Sequence, residues 1–186
     1  MRIVAGRHRG ARLEAPPGES TRPTSDRARQ ALFDTLTGGR FDIDLNEAVV
    51  LDLFAGTGAL GLEALSRGAA RAIFVEKDRA ALVVLNRNIA HLKAGDRTLV
   101  LAQDATTLGR AREPAALVLM DPPYRQGLVG PALQALAGGG WLAPDALIVV
   151  EQAKEEALEL PTGFALLEDR RYGAARFLFL RQAKTK

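Results

Sequence analysis

Apolar segments of five or six residues alternate with helical patterns through the middle of the chain, and this alternation restricts the fold more than any other feature. The segments are apolar along almost their whole length rather than at alternate positions, so each would be buried on both faces. Strands separated by helices form βαβ units and a parallel sheet with helices on both sides. The predicted strands are 49–53, 71–76, 98–102, 115–120 and 146–150, and the predicted helices are 25–37, 59–67, 79–92, 106–110 and 128–136.

The two ends of the chain differ from this pattern. Residues 164–167 and 175–180 are strand-like with a short link between them, which predicts an antiparallel hairpin at the edge of the sheet. Near the N-terminus, a short extended pair is ended by prolines. We therefore expect one α/β domain over residues 1–186. Its parts would be a basic, hairpin-like extension at 1–23, a helix within 24–40 and an α/β core at 41–186.

Composition excludes several classes of protein. The 186 residues are 47% apolar and 25% charged, which is the balance of a folded globular domain. There is no cysteine and there are two histidines, His8 and His91, which excludes disulfides and leaves little material for a zinc site. No apolar run reaches the roughly 20 residues of a membrane span, and the N-terminus has no secretory pattern. The sequence predicts a cytoplasmic protein with no metal and no membrane partner.

Positive charge is concentrated at the two ends of the chain. The net charge is +4 over residues 1–40, −7 over 41–169 and +6 over 170–186, and 20 of the 25 basic residues are arginine. Arginine binds phosphate bidentately, so this distribution favours a polyanion that contacts a limited face. The alternative is that the arginine-rich termini are only solvated, and charge alone does not decide between these two interpretations. The residues predicted to contact phosphate are Arg2, Arg7, Arg9 and Arg12.

A glycine-rich loop follows the first predicted strand of the core and opens a helix. It reads Gly56-Thr57-Gly58-Ala59-Leu60-Gly61, a G-x-G-x-x-G pattern, and Glu76 lies 20 residues after Gly56 at the end of the next strand. Glycines let the backbone approach a ligand, and a carboxylate at that strand end can accept from both ribose hydroxyls. The pattern predicts a nucleotide cofactor, and a tight turn without a ligand is the alternative.

Acidic residues at two other strand ends favour S-adenosylmethionine over NAD. Asp52 stands four residues before Gly56, where a pyrophosphate would gain nothing from a carboxylate but an ammonium and a sulfonium would. Asp104 follows the third strand and can accept from the amino group of adenine. The candidate cofactor residues are Asp52, Phe54, Ala55, Gly56, Thr57, Gly58, Leu60, Glu76, Lys77, Asp104 and Ala105.

The motif Asp121-Pro122-Pro123-Tyr124 ends the fourth strand and supplies the candidate catalytic residues. Its two prolines fix the backbone and remove two amide donors. The Asp121 carboxylate and the Pro122 carbonyl are then two acceptors directed to one point, which suits the two N–H donors of an exocyclic base amine. Tyr124 offers a face on which the base can stack, worth roughly 1–3 kcal/mol. A proline turn with a buried tyrosine is the alternative.

This motif resembles the catalytic motif of S-adenosylmethionine-dependent methyltransferases that modify exocyclic base nitrogens. Further stretches are similar to the bacterial enzymes that act on guanine N2 of small-subunit ribosomal RNA, the RsmD family, and the similarity runs essentially from end to end. These stretches are Arg2-Ile3-Val4-Ala5-Gly6, Arg22-Pro23-Thr24-Ser25-Asp26-Arg27-Ala28-Arg29, the segment 51–69, Val149-Val150-Glu151 and Arg171-Tyr172-Gly173. The chain departs from the family at Thr57 and Gln30, where serine and glutamate are more frequent.

The resemblance implies a Rossmann-like, mostly parallel sheet of seven strands with the last strand antiparallel. It also implies a monomer that acts on RNA within the ribosomal subunit. It places Thr24 against the cofactor and Arg22 and Arg27 against the RNA, with surface solvation of the arginines as the alternative. The implied reaction transfers the methyl group in line to N2 while Asp121 and Pro122 hold the amine hydrogens, and the base must leave its stack.

Three other interpretations remain at this point. An amino-methyltransferase of DNA, or one that acts on adenine or cytosine, shares residues 121–124, but recognition of a duplex sequence usually needs a further domain that no segment here supplies. An NAD oxidoreductase leaves the same four residues without a role. A non-catalytic RNA-binding assembly factor would keep its function after the substitution Asp121→Ala.

Overall fold

A computed structural model describes residues 1–15, 25–41, 43–157, 160–173 and 175–183. Within these ranges seven strands form one sheet, and none of the helices is long and apolar enough to cross a bilayer. The strands are β1 (Val49–Leu53), β2 (Arg71–Glu76), β3 (Thr98–Ala102), β4 (Ala115–Met120), β5 (Leu142–Gln152), β6 (Phe164–Tyr172) and β7 (Ala175–Gln182). The helices are α1 (Asp26–Thr37), α2 (Ala59–Ser66), α3 (Arg79–His91) and α4 (Val129–Gly139), and a 3₁₀ turn covers Gly95–Arg97.

The strand order is β3-β2-β1-β4-β5-β7-β6. Strands β1 to β5 pair in parallel, whereas β7 runs antiparallel to β5 and β6. This confirms the expected mostly parallel, Rossmann-like α/β sheet. The order reverses between β1 and β4, and open α/β sheets bind ligands at such a switch point, outside the carboxyl ends of the strands. The topology therefore brings the residues that follow β1 and β4 to one place.

Both faces of the central strands are buried, which explains why β1, β2 and β4 are largely apolar. On one face, α1, α2 and α3 pack through residues such as Leu32, Leu62 and Leu85. On the other face, α4 packs through Leu133, and Trp141 lies in the same cluster. Successive strand residues alternate between the two clusters, as the pleat of a strand requires.

Side-chain caps fix where two of the helices begin. Ser25 Oγ accepts from the Ala28 N–H at 3.1 Å, so α1 begins at Asp26 as its sequence predicts. The Asp78 carboxylate accepts from the Ala81 N–H at 2.8 Å and caps α3 in the same way. The second cap also ends the turn that follows β2, so it fixes the backbone at the carboxyl end of that strand.

The N-terminal hairpin, residues 1–15, is fastened to the side of α2. Arg2 and Arg12 form an antiparallel bridge, which confirms the predicted extended pair. The buried Glu63 carboxylate accepts from the N–H groups of Val4 (2.8 Å) and Ala5 (3.0 Å). One turn further on, the Ser66 carbonyl accepts from the Arg7 N–H at 2.7 Å. The hairpin is therefore a fixed part of the fold.

Three secondary-structure predictions differ from the structure. The predicted helix at 106–110 is absent from the described chain, because the Asp104 carboxylate accepts from Thr106 N (2.9 Å) and Oγ1 (2.7 Å) and holds a turn instead. Strand β5 begins at Leu142 rather than 146, because Leu142 pairs with Ala115 before a register shift. Strand β6 extends beyond residue 167, since its polar second half pairs with β7 at the sheet edge.

Candidate active site

The glycine loop turns sharply between β1 and α2. Phe54 and Gly56 adopt left-handed backbone conformations, with φ of 59° and 53°. The Gly56 N–H donates to Glu76 Oε2 at 2.8 Å, and the Gly58 N–H donates to the Ala55 carbonyl at 2.7 Å. These bonds tie the loop to the end of β2 and set the course of its backbone.

The three glycines of the loop serve two different purposes. A Cβ added at Gly58 would lie 2.4 Å from the Leu85 side chain, and one at Gly61 would lie 2.4 Å from the Phe74 ring. These two glycines therefore let α2 pack closely on the sheet and on α3. A Cβ at Gly56 would meet nothing closer than 3.9 Å, so this glycine leaves open space in front of the loop. Of the three, only Gly56 fits a close approach to a ligand.

Asp52 lies beneath the loop rather than facing the open space in front of it. Its side chain is 1% exposed, and Oδ2 accepts from the Gly61 N–H at 2.8 Å. Burial, together with the nearby charge of Glu76, raises the pKa of Asp52 to about 8, although the Gly61 hydrogen bond opposes this. Asp52 therefore stabilises the first turn of α2, and its predicted role toward a cationic ligand stays a prediction.

Glu76 holds the turn at the end of β2. One carboxylate oxygen accepts from the Gly56 N–H, and the other accepts from the N–H groups of Lys77 and Asp78, all at 2.8 Å. The sequence predicted Glu76 as an acceptor for ribose hydroxyls. The three backbone bonds place its carboxylate at the rim of the loop and fix its orientation.

Asp104 and Lys77 form an ion pair across the ends of β2 and β3. Lys77 Nζ lies 2.8 Å from Asp104 Oδ2. This bond and those from Thr106 lower the pKa of Asp104 to about 2, and the same pair raises the pKa of Lys77. Ala105, the next residue after Asp104, is buried in the α4-side cluster. The two predicted cofactor residues are therefore brought together, at the outer end of the site.

The motif 121–124 follows β4, so it lies beside the glycine loop. The Asp121 N–H reaches the Leu53 carbonyl at 3.5 Å, which joins the ends of the two strands. Burial, and then the charges of Glu151 and Asp52, raise the pKa of Asp121 well above the usual range. Pro122 is buried and Pro123 is exposed. The structure thus gathers Asp52, Asp121 and Glu151 into one acidic cluster at the switch point.

Tyr124 is 37% exposed, so its ring is available to a ligand rather than buried in the core. Its hydroxyl donates to Glu151 Oε1 at 3.2 Å. Glu151 itself is 3% exposed. No sequence pattern indicates this bond, because the two residues lie at the ends of different strands and are 27 positions apart.

Asn88 is a buried residue of α3 whose side chain contacts segments outside its own helix. Its Nδ2 donates to the Thr57 carbonyl at 3.0 Å. The same amide pairs with the backbone of Glu14 through the Glu14 N–H (2.8 Å) and carbonyl (3.2 Å). Asn88 therefore joins the glycine loop to the end of the N-terminal hairpin. A buried asparagine on an otherwise apolar helix face was the one available signal.

The N-terminal arginines form an exposed basic surface. Arg7, Arg9, Arg12 and Arg27 are exposed, and no carboxylate within the described ranges forms an ion pair with them. Arg2 is also exposed but pairs with Asp26 at 3.2 Å. A groove of about 440 Å³ runs between the hairpin and α1, and Arg2, Arg9 and Arg27 are among its lining residues. Arg22 and Thr24 lie outside the residues that the structure describes.

Charges of two arginines act on His8 in the hairpin. Burial, followed by the charges of Arg97 and Arg7, lowers the pKa of His8, and Arg97 was not among the residues predicted from the sequence.

The basic C-terminal segment is arranged differently. Arg170 pairs with Glu168, Arg176 pairs with Asp169, and Arg181 donates to the Phe41 carbonyl. These cations are neutralised by acidic residues of β6 or used to hold the strand in place. Three of the six basic residues of 170–186 are thus engaged in contacts, Arg171 is exposed, and Lys184 and Lys186 lie outside the described residues.

No group of three or more histidine, aspartate or glutamate side chains that could hold a metal ion occurs among the described residues.

Comparison with known protein families gives a match over almost the whole chain. The family model described as conserved hypothetical protein 95 matches residues 1–181. The chain is 40% identical over 186 residues to ribosomal RNA small subunit methyltransferase D of Escherichia coli, covering 99% of this chain and 91% of the relative. It is 34% identical over 183 residues to the protein of the same name from Haemophilus influenzae, covering 95% and 91%.

Solved structures give the same result. A putative methyltransferase from Escherichia coli superimposes with a TM-score of 0.81 at 38% identity, covering 98% of this chain and 97% of that one. A putative methylase from Haemophilus influenzae superimposes with a TM-score of 0.78 at 30% identity, covering 99% of both chains. The similarity therefore extends over the N-terminal hairpin, the sheet and the C-terminal strands.

Proposed function

Because the chain belongs to the ribosomal RNA small subunit methyltransferase D family, we propose that it transfers a methyl group from S-adenosylmethionine to N2 of one guanine in small-subunit ribosomal RNA. One observation carries the proposal. Residues 121–124, an acceptor motif for a base amine, follow β4, and the glycine loop follows its direct neighbour β1. The amine and the methyl donor would meet at this switch point.

The electrostatics of the site support a cationic cofactor. Burial and the charge of Glu76 raise the pKa of Asp52, and burial and the charges of Glu151 and Asp52 raise that of Asp121. No arginine or lysine is among the groups that act on either pKa. The sulfonium and ammonium of S-adenosylmethionine would supply the positive charge, whereas a dinucleotide pyrophosphate would add repulsion. The open space in front of Gly56 also suits a ligand that lies against the loop.

We assign the cofactor contacts along the strand ends. Glu76, oriented by three backbone donors, would accept from the ribose hydroxyls. Asp104 and Ala105 at the end of β3 would adjoin the adenine. The backbone of the loop from Phe54 to Leu60 would face the methionine part, and Thr24 would complete the site from the segment before α1.

When bound, S-adenosylmethionine supplies a methyl group activated by a sulfonium. The lone pair of guanine N2 is delocalised into the ring, so the amine is a poor nucleophile. The Asp121 carboxylate and the Pro122 carbonyl would accept its two hydrogens, which orients the lone pair and stabilises the positive charge that develops on N2. This arrangement would present the N2 lone pair to the methyl group, and the N2 proton would be lost after transfer, with the Asp121 carboxylate holding it until then. Tyr124 would stack on the extruded base.

The exposed arginines of the hairpin, together with Arg27 and Arg22, would contact phosphates of the RNA. Because this surface and the switch point are both open to solvent, a nucleotide held within a ribosomal subunit could reach the site. The protein would act as a monomer in the cytoplasm, where small subunits are assembled.

The test is methyl transfer with labelled S-adenosylmethionine and small subunits from a strain that lacks this gene, followed by nucleoside analysis. Label in N2-methylguanosine is the expected result. Label in adenosine or cytidine would keep the chemistry of residues 121–124 but overturn the guanine assignment. Protein bound to the subunit with no label would overturn the enzymatic proposal and favour a binding factor.

A further inference from the structure

Glu151 lies level with Asp121 at the carboxyl edge of the sheet. In the parallel pair β4–β5, Met120 is the partner of Val150, so the next residue on each strand is one of these two carboxylates. Met120 and Val150 both point into the α4-side cluster. Since side chains alternate along a strand, Asp121 and Glu151 both point to the opposite face, which is also the face of Asp52. Glu151 is therefore a second carboxylate beside the proposed amine acceptor.

The contacts of Glu151 place it within the site rather than in the core. Its Oε1 accepts from the hydroxyl of Tyr124 at 3.2 Å, and the Tyr124 ring is the proposed stacking surface. The phenol is a hydrogen-bond donor, so Glu151 already receives a donor from the side on which a stacked base would lie. Its charge also acts on Asp121. The buried carboxylate is thus bordered by the two residues that would hold the target base.

The acceptors at Asp121 and Pro122 do not by themselves distinguish one base amine from another. Guanine, adenine and cytosine each carry an exocyclic NH₂ group. They differ at the adjacent ring nitrogen: N1 of guanine carries a hydrogen, whereas N1 of adenine and N3 of cytosine are acceptors. A carboxylate next to the amine site would attract the first and repel the other two.

From this arrangement, and resting on the proposed function, we propose that Glu151 accepts a hydrogen bond from N1–H of the target base and thereby selects guanine. Asp121 and Pro122 accept the hydrogens of the amine, and Glu151 accepts the hydrogen on the adjacent ring nitrogen, N1. A site built to accept a hydrogen bond strongly rejects a ligand that lacks the donor. The buried acceptor of the site would then face a lone pair of the ligand instead of a hydrogen.

The test compares guanine with 2-aminopurine at the modified position of reconstituted small subunits. 2-Aminopurine keeps the 2-amino group but has an unprotonated N1. We expect the wild-type protein to methylate guanine about 100-fold faster than 2-aminopurine in single turnovers. In Glu151→Gln, whose amide can either accept or donate, we expect the guanine rate to fall about 10-fold and the ratio to approach one.

Two further variants separate base recognition from support of Tyr124. Tyr124→Phe removes the phenol hydroxyl but keeps Glu151, so its rate should fall while its guanine preference is retained. Glu151→Asp keeps a carboxylate and should retain most of the preference. If Glu151→Gln lowers both rates equally, or if Tyr124→Phe loses the preference to the same degree, the inference is overturned.

The outcome is distinguishable from a failure of the proposed function. If the wild-type protein labels no guanine at all, the function fails. If it labels guanine N2 but Glu151→Gln keeps the wild-type ratio, only the role of Glu151 fails. Circular dichroism and thermal unfolding of each variant identify a folding defect, and Glu151→Asp then carries the test.

Discussion

Asn88 donates from Nδ2 to the carbonyl of Thr57 at 3.0 Å, and this bond joins α3 to the glycine loop across 31 positions of sequence. The same amide holds the backbone of Glu14 at the end of the hairpin. A single side chain therefore connects the segment that would contact RNA to the loop that would contact the cofactor.

Replacing Asn88 by alanine should weaken both segments. The substitution leaves the Thr57 carbonyl and the Glu14 N–H without this partner, so we expect the free energy of unfolding to fall by about 2 kcal/mol. The affinity for S-adenosylmethionine should fall as well. Chemical denaturation and equilibrium binding measure the two effects. Asn86→Ala, at an exposed position of the same helix, is the matched control, and equal losses in both variants would show that the bridge contributes nothing.

Replacing Asp121 by alanine should slow chemistry more than binding. The variant loses one of the two acceptors proposed to hold the amine, so we expect single-turnover methyl transfer to fall by about 100-fold or more. Binding of RNA and of cofactor should change little. Asp96→Ala, an exposed aspartate on the 3₁₀ turn, is the control. Normal turnover in Asp121→Ala would reject the mechanism.

The rate of methyl transfer should depend on pH through Asp121. Burial and the charges of Glu151 and Asp52 raise its pKa, so part of the population is protonated where an ordinary aspartate would be charged. Only the ionised carboxylate can accept a hydrogen bond from the base amine through either oxygen. The rate should therefore rise with pH and level off above this raised pKa. Glu151→Gln removes one neighbouring charge and should move the rise to lower pH. A rise at the same pH in both proteins would contradict the coupling.

Replacing Asp52 by asparagine should stabilise the fold at neutral and alkaline pH. The pKa of Asp52 is raised to about 8 in the folded protein, against 3.8 for an ordinary aspartate. Between these values the folded state holds a proton that the unfolded state releases, so the wild-type stability falls as pH rises. Asparagine keeps an acceptor for the Gly61 N–H without a titrating group.

The difference in Tm between Asp52→Asn and the wild type should therefore grow from about pH 4 to about pH 8 and remain constant above that. Thermal unfolding in a series of buffers measures it. Asp96→Asn is the matched control and should follow the wild type. A constant difference between Asp52→Asn and the wild type across the series would show that Asp52 does not titrate as expected.

Replacing Arg7 and Arg9 by glutamine should weaken RNA binding and its dependence on salt. If both arginines contact phosphate, the slope of log affinity against log salt concentration should become shallower by about 1.5. The double variant Arg110→Gln and Arg112→Gln makes the same charge change at two exposed arginines near Trp141, on the α4 side. An unchanged slope in the hairpin variant, or equal changes in both, would reject the assignment.

The strands and most helices could be predicted because their patterns are local. The bounds of β1, β2, β3 and β4 agree with the predicted ones, since each is a short apolar run between turn residues. The helix predicted at 106–110 was wrong because side-chain hydrogen bonds of Asp104 hold a turn there. Helix propensity does not reveal such a contact. Strand β6 was predicted too short because edge strands carry polar residues that interrupt the apolar pattern.

The sequence indicates which residues lie at the candidate site better than it indicates the contacts between them. The strand ends and the glycine loop are visible in the sequence, and the topology brings them together. That Asp52 lies under the loop, that Tyr124 meets Glu151 and that Asn88 reaches Glu14 depend on tertiary packing between distant segments. Likewise, Asp169 meets Arg176 because β6 pairs with β7, whereas Arg170 pairs with Glu168 of its own strand.

Helix α2 carries the glycine loop at its beginning and the N-terminal hairpin along its side. Gly6 packs so tightly there that a Cβ would lie 1.9 Å from the Ser66 carbonyl oxygen, and Glu63 holds the next two residues upstream. The distance between the N-terminal hairpin and the glycine loop is therefore constant. An RNA backbone bound to the hairpin would present to the site only a nucleotide at one set distance, so the shape of the folded RNA would determine which guanine is modified.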